Sequence, residues 1–174
     1  MIETERLILR PPTTADRTAL HAIWSDSLVM ADLGPVKSAA DSDATLARHA
    51  GYGDGLGFHA VVRRSDAAVI GFCGLKPGAP ATPIAGEIEA GWIIARSAWR
   101  QGFASEAMRA VLAWGWANTH ATRVVAITAR RNARSRAMME RLGICHRSDL
   151  DFLHPQFAAD DPLADVVTYA LPRS

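Results

Sequence analysis

The sequence predicts an α+β fold in which helices flank both faces of a mixed, mostly antiparallel central sheet. Strand-like apolar runs and amphipathic segments follow in the order strand, two helices, three strands, helix, strand, helix and one or two strands. A strand–helix–strand crossover over residues 87–129 indicates one parallel strand pair. The 174 residues, of which 49% are hydrophobic and 21% are charged, suit a single domain over residues 1–174.

Composition argues against several classes of partner and site. Because 19 Lys plus Arg balance 18 Asp plus Glu, the net charge of +1 gives no general attraction to nucleic acid or to an anionic membrane. A local basic patch stays open as an alternative, formed by Arg100, Arg130, Arg131, Arg134 and Arg136. Cys73 and Cys145 are too few and too far apart for a disulfide framework or a zinc pattern, so we expect no metal. The N-terminus lacks a secretory signal and no segment is long enough to span a bilayer, so we expect a cytoplasmic protein.

The first part of the chain predicts one strand and two helices. Apolar residues 7–9 precede two prolines, which is typical of a short strand that ends there. Thr14 is the expected cap of a helix over about residues 15–25, whose apolar positions fall three and four residues apart. A second short helix is expected after a cap at Asp41 or Ser42.

Three strands are expected next, over residues 58–63, 68–75 and 87–94. A short polar turn separates the first two, which indicates an antiparallel hairpin. Because side chains alternate along a strand, Glu87 and Glu89 share one face of the third strand.

The remaining elements alternate between helix and strand. A helix over residues 102–118 is apolar on nearly all sides, which is typical of a helix held inside the core. The apolar run 124–129 predicts a strand covered on both faces. Asn132 is placed to cap a further helix that ends before Gly143, and residues 166–171 predict the last strand.

The junction between the third of these strands and the long helix has the properties of an anion site. Free N–H groups in the first helical turn and the helix macrodipole favour a phosphate against residues 101–105. Gly102 removes a side chain that would block the approach of such a ligand. Taken alone, Gly102 fits a tight strand-to-helix connection equally well.

The order of elements and the motifs together resemble the GNAT superfamily of N-acetyltransferases, which use acetyl-CoA, and most closely its ribosomal-protein N-terminal acetyltransferase branch. The family's pyrophosphate motif corresponds to residues 99–104, although Trp99 replaces a polar residue and is expected to supply no polar side chain. The resemblance implies that the two parallel strands are splayed apart where the cofactor binds. It also implies that a backbone N–H near Ile93 or Ile94 donates a hydrogen bond to the acetyl carbonyl. It also implies cofactor contacts from Arg100, Gln101, Gly102, Phe103, Ala104, Ser105, Asn132 and Ser135.

The resemblance also suggests catalytic residues. The segment from Asn132 to Ser135 is similar to the family's Asn-x-x-Ser helix, and Met139 stands where many members have a tyrosine that protonates the leaving thiolate. Ser135 is then the candidate proton donor, or else a serine that only bonds a helix carbonyl or the cofactor. Glu89 matches the acid that serves many members as the base for the amine, or else it is a strand residue without a catalytic role.

On the acceptor side, the resemblance implies Glu87 as a reserve base and His154, in a His-Pro block, as a lining residue. A structural histidine in a turn is the alternative for His154. The partners implied are acetyl-CoA and an amine acceptor, with a homodimer as a further expectation.

The function implied is direct acetyl transfer to a primary amine of a protein N-terminus or a small molecule, within a ternary complex. An acetyl-CoA-binding sensor or scaffold of the same fold is the alternative. A dinucleotide-binding fold is excluded, because the second and third glycines of Gly-x-Gly-x-x-Gly do not follow Gly102.

Overall fold

A computed structural model describes residues 1–173 and confirms the mixed sheet. The described strands are β1 (Ile2–Glu3), β2 (Leu7–Arg10), β3 (Gly57–Arg63), β4 (Val69–Pro77), β5 (Ile88–Ile94), β6 (Arg123–Ala129), β7 (Cys145–His146), β8 (Phe152–Leu153) and β9 (Asp165–Pro172). Their order in space is β1-β2-β3-β4-β5-β6-β9-β7, and β8 pairs with β9. Each described pairing is antiparallel except that of β5 with β6, which is parallel as the crossover predicts.

Helices cover both faces of this sheet. They are α1 (Arg17–Ser25), α2 (Ser27–Met30), α3 (Ala39–Ala50), α4 (Phe103–Asn118) and α5 (Ala133–Arg141). Alternating residues of β5 separate the two apolar cores: Ile93 packs with side chains of α1 and α2, whereas Ile94 packs with those of α4 and α5. The sheet thus lies between two helical layers.

Three helices differ from the sequence expectation. Thr14 was expected to cap the first helix, but it lies inside a 3₁₀ turn (Thr14–Asp16) that precedes α1, and Thr13 is the cap of that turn. The Thr13 N–H donates to the Asp16 carboxylate (2.6 Å), which fixes the turn before α1 begins.

The start of α3 also differs. The cap of α3 is Ser38, which precedes both predicted caps, Asp41 and Ser42. The Ser38 hydroxyl accepts from the Asp41 N–H while the Asp41 carboxylate accepts from the Ser38 N–H, and this reciprocal capping box places the helix start earlier. Helix α2 escaped prediction because a single turn is too short to show a helical period.

The parallel pair β5–β6 is short and its strands then diverge. Only Ile88 with Val124 and Glu89 with Val125 are paired. Two backbone hydrogen bonds to β4 flank the ends of β5. The Gly78 N–H donates to the Glu87 carbonyl (2.9 Å), and the Ala95 N–H donates to the Ile70 carbonyl (2.8 Å). These bonds show which residues of β5 direct their backbone groups toward β4.

This register directs alternate backbone groups of β5 into the gap. In an antiparallel ladder, residues alternate between bonding one neighbouring strand and bonding the other. The odd-numbered residues of β5 therefore bond β4, and the even-numbered ones direct their N–H and C=O groups toward β6. Because the pairing with β6 ends at Glu89, the Trp92 N–H and C=O and the Ile94 N–H face the opening. A cleft lined by free strand backbone results.

Candidate active site

The turn between β5 and α4 presents a row of backbone N–H groups that have no acceptor among residues 1–173. Glu106 N–H bonds the Gly102 carbonyl (3.0 Å), whereas the amides of residues 101–105 make no such bond and no side chain caps the helix. Left-handed conformations at Arg100 (φ 59°) and Gly102 (φ 82°) turn the chain from the strand into the helix. The predicted anion site therefore has its donors in place.

Residues of the turn between β1 and β2 hold the start of α4 on the side away from the free amides. The Glu106 carboxylate in the first turn of α4 accepts from Thr4 Oγ1 (2.5 Å), Arg6 N–H (2.9 Å) and Arg6 Nε (2.6 Å). Arg6 also donates to the Gln101 carbonyl (3.0 Å) and its guanidinium lies 4.6 Å from the centre of the Phe103 ring. The charge of Glu106 is thereby offset by Arg6 beside the free amides of the turn.

A cavity of about 820 Å³ adjoins the turn and the open side of β5. Of the predicted cofactor residues, it is lined by Ile93, Ile94, Arg100, Gly102, Phe103, Ala104, Ser105, Asn132 and Ser135. Gln101 is outside the lining, and its side chain donates to the Ser97 carbonyl (2.9 Å). The strand end, the turn and the start of α5 thus meet at one cavity.

The charge of this cavity differs from that of the whole chain. Arg96, Arg100, Arg134 and Arg141 line it, against one acidic residue, Asp32. A locally positive field arises here in a protein of net charge +1. The cavity is therefore suited to a ligand that carries several negative charges.

Asn132 and Ser135 have different roles at the start of α5. The Asn132 side chain accepts from Ser135 N–H (3.1 Å) and donates to Thr128 Oγ1 (3.0 Å), so it caps the helix and ties it to β6. The Ser135 Oγ makes no hydrogen bond to residues 1–173 and its residue lines the cavity. The Ser135 hydroxyl therefore does not bond a helix carbonyl, which was one of the interpretations offered for this residue. Met139 is fully buried and does not line the cavity.

Trp99 supplies a polar group at the end of β5, so the expectation that it would supply no polar side chain was wrong. Its indole Nε1–H donates to the Ile94 carbonyl (2.8 Å), which satisfies a backbone acceptor at the end of β5. The donor is visible in the residue type, but its partner depends on the turn geometry. Arg134, which lies 4.1 Å above the Trp99 ring, is a further lining residue, for which the sequence indicated no more than membership of a local basic patch.

Glu89 lies outside the cavity lining and is paired with a neighbouring strand. It is 6% exposed, it forms an ion pair with Lys76 directly across the β4–β5 ladder, and it shares the α1–α2 face of the sheet with Ile93. Burial raises the pKa of the Glu89 carboxyl above its usual value, and the ammonium of Lys76 offsets this only in part. Glu89 is therefore easier to protonate than an exposed glutamate.

The two remaining acceptor-side candidates also lie outside the lining. Glu87 bonds Arg123 Nε (3.0 Å) and Nη2 (2.5 Å). The half-buried His154 accepts from Gln156 N–H at Nδ1 (3.2 Å), and burial together with the charge of Lys76 lowers its pKa. Neutral His154 consequently carries its proton on Nε2 and presents a donor.

Comparison with protein families identifies the fold. The model of the acetyltransferase (GNAT) domain matches residues 6–144. The chain belongs to the GNAT family. Its activity at the family level is accordingly acetyl-CoA-dependent acetyl transfer.

Solved structures share the GNAT fold over nearly the whole chain. A GNAT-family acetyltransferase from Bacillus anthracis superposes with a TM-score of 0.80 at 23% identity, over 98% of this chain and 97% of that one. Spermidine N-acetyltransferase from Vibrio cholerae, solved with CoA and spermine, superposes with a TM-score of 0.74 at 18% identity, over 97% and 96%. A Vibrio cholerae protein provisionally named a ribosomal-protein-serine acetyltransferase gives 0.75 at 18% identity, over 99% and 97%. At these sequence identities, the similarity shows that the fold is shared and does not identify a substrate.

None of the helices within residues 1–173 is long and apolar enough to cross a membrane.

Proposed function

We propose that this GNAT protein is an N-acetyltransferase whose cavity binds acetyl-CoA and whose acceptor is a primary amine. The observation that carries the proposal is the row of free amides at residues 101–105, which opens onto an arginine-lined cavity beside the diverging strands. A helix N-terminus with free donors favours a phosphate, and the four cavity arginines favour the same charge.

The free backbone of β5 suits the other part of the cofactor. Acetyl-CoA supplies the acetyl group as a thioester at the end of a chain that contains two amide groups. The Trp92 N–H and C=O and the Ile94 N–H face the cleft, where they can pair with amides as an added strand would. The Ile94 carbonyl is already bonded to the Trp99 indole. The Ile93 N–H bonds β4, so the proposed donor to the acetyl carbonyl is the Ile94 N–H.

Direct transfer requires that the amine lose a proton and that the leaving thiolate gain one. Glu89 is the proposed base, directly or through water, because its buried carboxyl has a raised pKa and so a greater affinity for a proton. Its ion pair with Lys76 must leave one carboxylate oxygen free for this role. Ser135 is the proposed proton donor, because its free hydroxyl lines the cavity.

The acceptor is proposed by class alone. The amine of a protein N-terminus and that of a small molecule both remain candidates, as in the two Vibrio cholerae neighbours, one of which was solved with spermine. The donor of neutral His154 is proposed to bind an acceptor carbonyl or hydroxyl, and Glu87 stays the reserve base. A homodimer also stays a prediction.

The cofactor assignment is tested with Gly102→Asp. A carboxylate at this position would stand among the free amides and would repel the pyrophosphate, so we expect calorimetric binding of acetyl-CoA to be lost. Gly143→Asp is the matched control, because Gly143 has a similar left-handed conformation (φ 78°) with no atom near its added Cβ. Equal affinity in both folded variants would contradict the cofactor assignment.

The base is tested with Glu89→Gln. We expect kcat to fall about a hundredfold at neutral pH, with acetyl-CoA affinity retained. The difference should be largest on the acid side of neutrality while Glu89 is still ionised, and it should narrow at alkaline pH, where the amine loses its proton unaided. In the wild type, the rate should fall as the pH drops through the raised pKa of Glu89.

A variant with a wild-type pH–rate profile would show that Glu89 serves only as the partner of Lys76. Thermal unfolding controls for the loss of this buried ion pair.

The proton donor is tested with Ser135→Ala. We expect kcat to decrease about tenfold or more, with the KM for acetyl-CoA nearly constant, because protonation of the thiolate follows binding. Ser65→Ala, in the exposed β3–β4 turn, is the control. Unchanged turnover of Ser135→Ala in a thiol-release assay would remove the proposed role.

A further inference from the structure

Trp99 and Arg134 form a stacked pair within the cavity. The Arg134 guanidinium lies 4.1 Å from the centre of the Trp99 ring, and both residues line the cavity. The Trp99 ring is itself held by the bond from its Nε1–H to the Ile94 carbonyl. The ring is thus a fixed platform beside the end of β5, between the strand and the free amides of the turn.

Asp32, the one acidic residue of the lining, has two arginine partners. Arg131 Nε lies 2.9 Å from its carboxylate and Arg131 Nη2 also donates to the Ala31 carbonyl (2.5 Å). Arg134 Nη2 lies farther away, at 3.8 Å, which is beyond hydrogen-bond distance. Asp32 therefore keeps a close cationic partner when Arg134 moves.

The ion pair of Arg134 with Asp32 contributes little to stability. The Arg134 side chain is 55% exposed, where ion pairs contribute little because water screens them. A hydrogen bond to a phosphate oxygen is charge-assisted and stronger. In addition, the Arg134 N–H in the first turn of α5 has no acceptor within residues 1–173 and is a second donor for the same anion.

We propose that Arg134 exchanges Asp32 for the pyrophosphate when acetyl-CoA binds, and that Trp99 positions its guanidinium for this exchange. The inference rests on the proposed function and assigns a specific cation to the cofactor. Trp99, which departs from the family motif, thereby supports phosphate binding through an arginine that it holds in place. Asp32 competes with the phosphate and sets the affinity of the cavity for its ligand.

The test measures the calorimetric affinities of CoA and of dephospho-CoA, which keeps the pyrophosphate and lacks the 3′-phosphate. For Arg134→Ala we expect both affinities to weaken about ten- to hundredfold, because a charge-assisted contact to the pyrophosphate is lost. Arg109→Ala should leave both unchanged, since Arg109 is exposed on α4 and lies outside the cavity lining. Unchanged affinity of Arg134→Ala would overturn the proposal, and so would a loss confined to CoA, which would assign Arg134 to the 3′-phosphate.

Asp32→Asn separates phosphate binding from a structural role of the ion pair. This variant removes the competing charge but keeps Arg134, so we expect CoA to bind about two- to threefold more tightly. If Asp32→Asn weakens binding as much as Arg134→Ala does, the ion pair itself supports the cavity and the proposal is wrong. Wild-type protein that binds no CoA would instead contradict the proposed function, which distinguishes the two failures.

Discussion

The divergence of β5 and β6 after two paired residues is the constraint on which the rest of the site depends. Each strand is fully paired on its other side, β5 with β4 and β6 with β9. Beyond the paired residues, the Trp92 N–H and C=O and the Ile94 N–H face the gap without a partner strand, so they are available to a ligand with amides of its own. The Ile94 carbonyl is the exception, because it accepts from the Trp99 indole. The free amides of residues 101–105 lie along the same cavity, which joins a strand-like site to an anion site.

Local electrostatics, and not net charge, determine what this cavity can bind. The formal charge of +1 indicated no anionic partner for the protein as a whole, yet arginines dominate the lining. The charge of Glu106, in the first turn of α4, is offset by Arg6, and Thr4 donates a further hydrogen bond to its carboxylate. Such pairing behind the site lets the helix N-terminus act on an anion without a competing carboxylate.

The features predictable from the sequence are those with local signals. The crossover over residues 87–129, the glycine at the helix start and the cap at Asn132 each depend on neighbours in the chain, and the structure confirms them as elements. The cap of α3 was wrong by a few residues because several capping residues stand in succession, and only the reciprocal bonds of Ser38 identify the true start.

Contacts between distant segments could not be predicted in this way. Glu89 was identified from its motif, but its ion pair with Lys76 depends on the β4–β5 register. The approach of Arg134 to Asp32 joins residues about a hundred positions apart, through two elements that no local pattern places side by side. The sequence thus predicted which residues line the cavity better than how their charges are paired.

The central claim is that free backbone amides of the turn and of the β5 edge hold acetyl-CoA. Backbone amide chemical shifts, recorded by nuclear magnetic resonance during titration with CoA, test it most directly. We expect the largest changes at residues 101–105, whose N–H groups have no acceptor within residues 1–173, and at Ile94, whose N–H faces the cleft. We expect small changes at Ile93, whose N–H bonds β4. Saturable binding that leaves residues 101–105 and Ile94 unshifted would contradict the account.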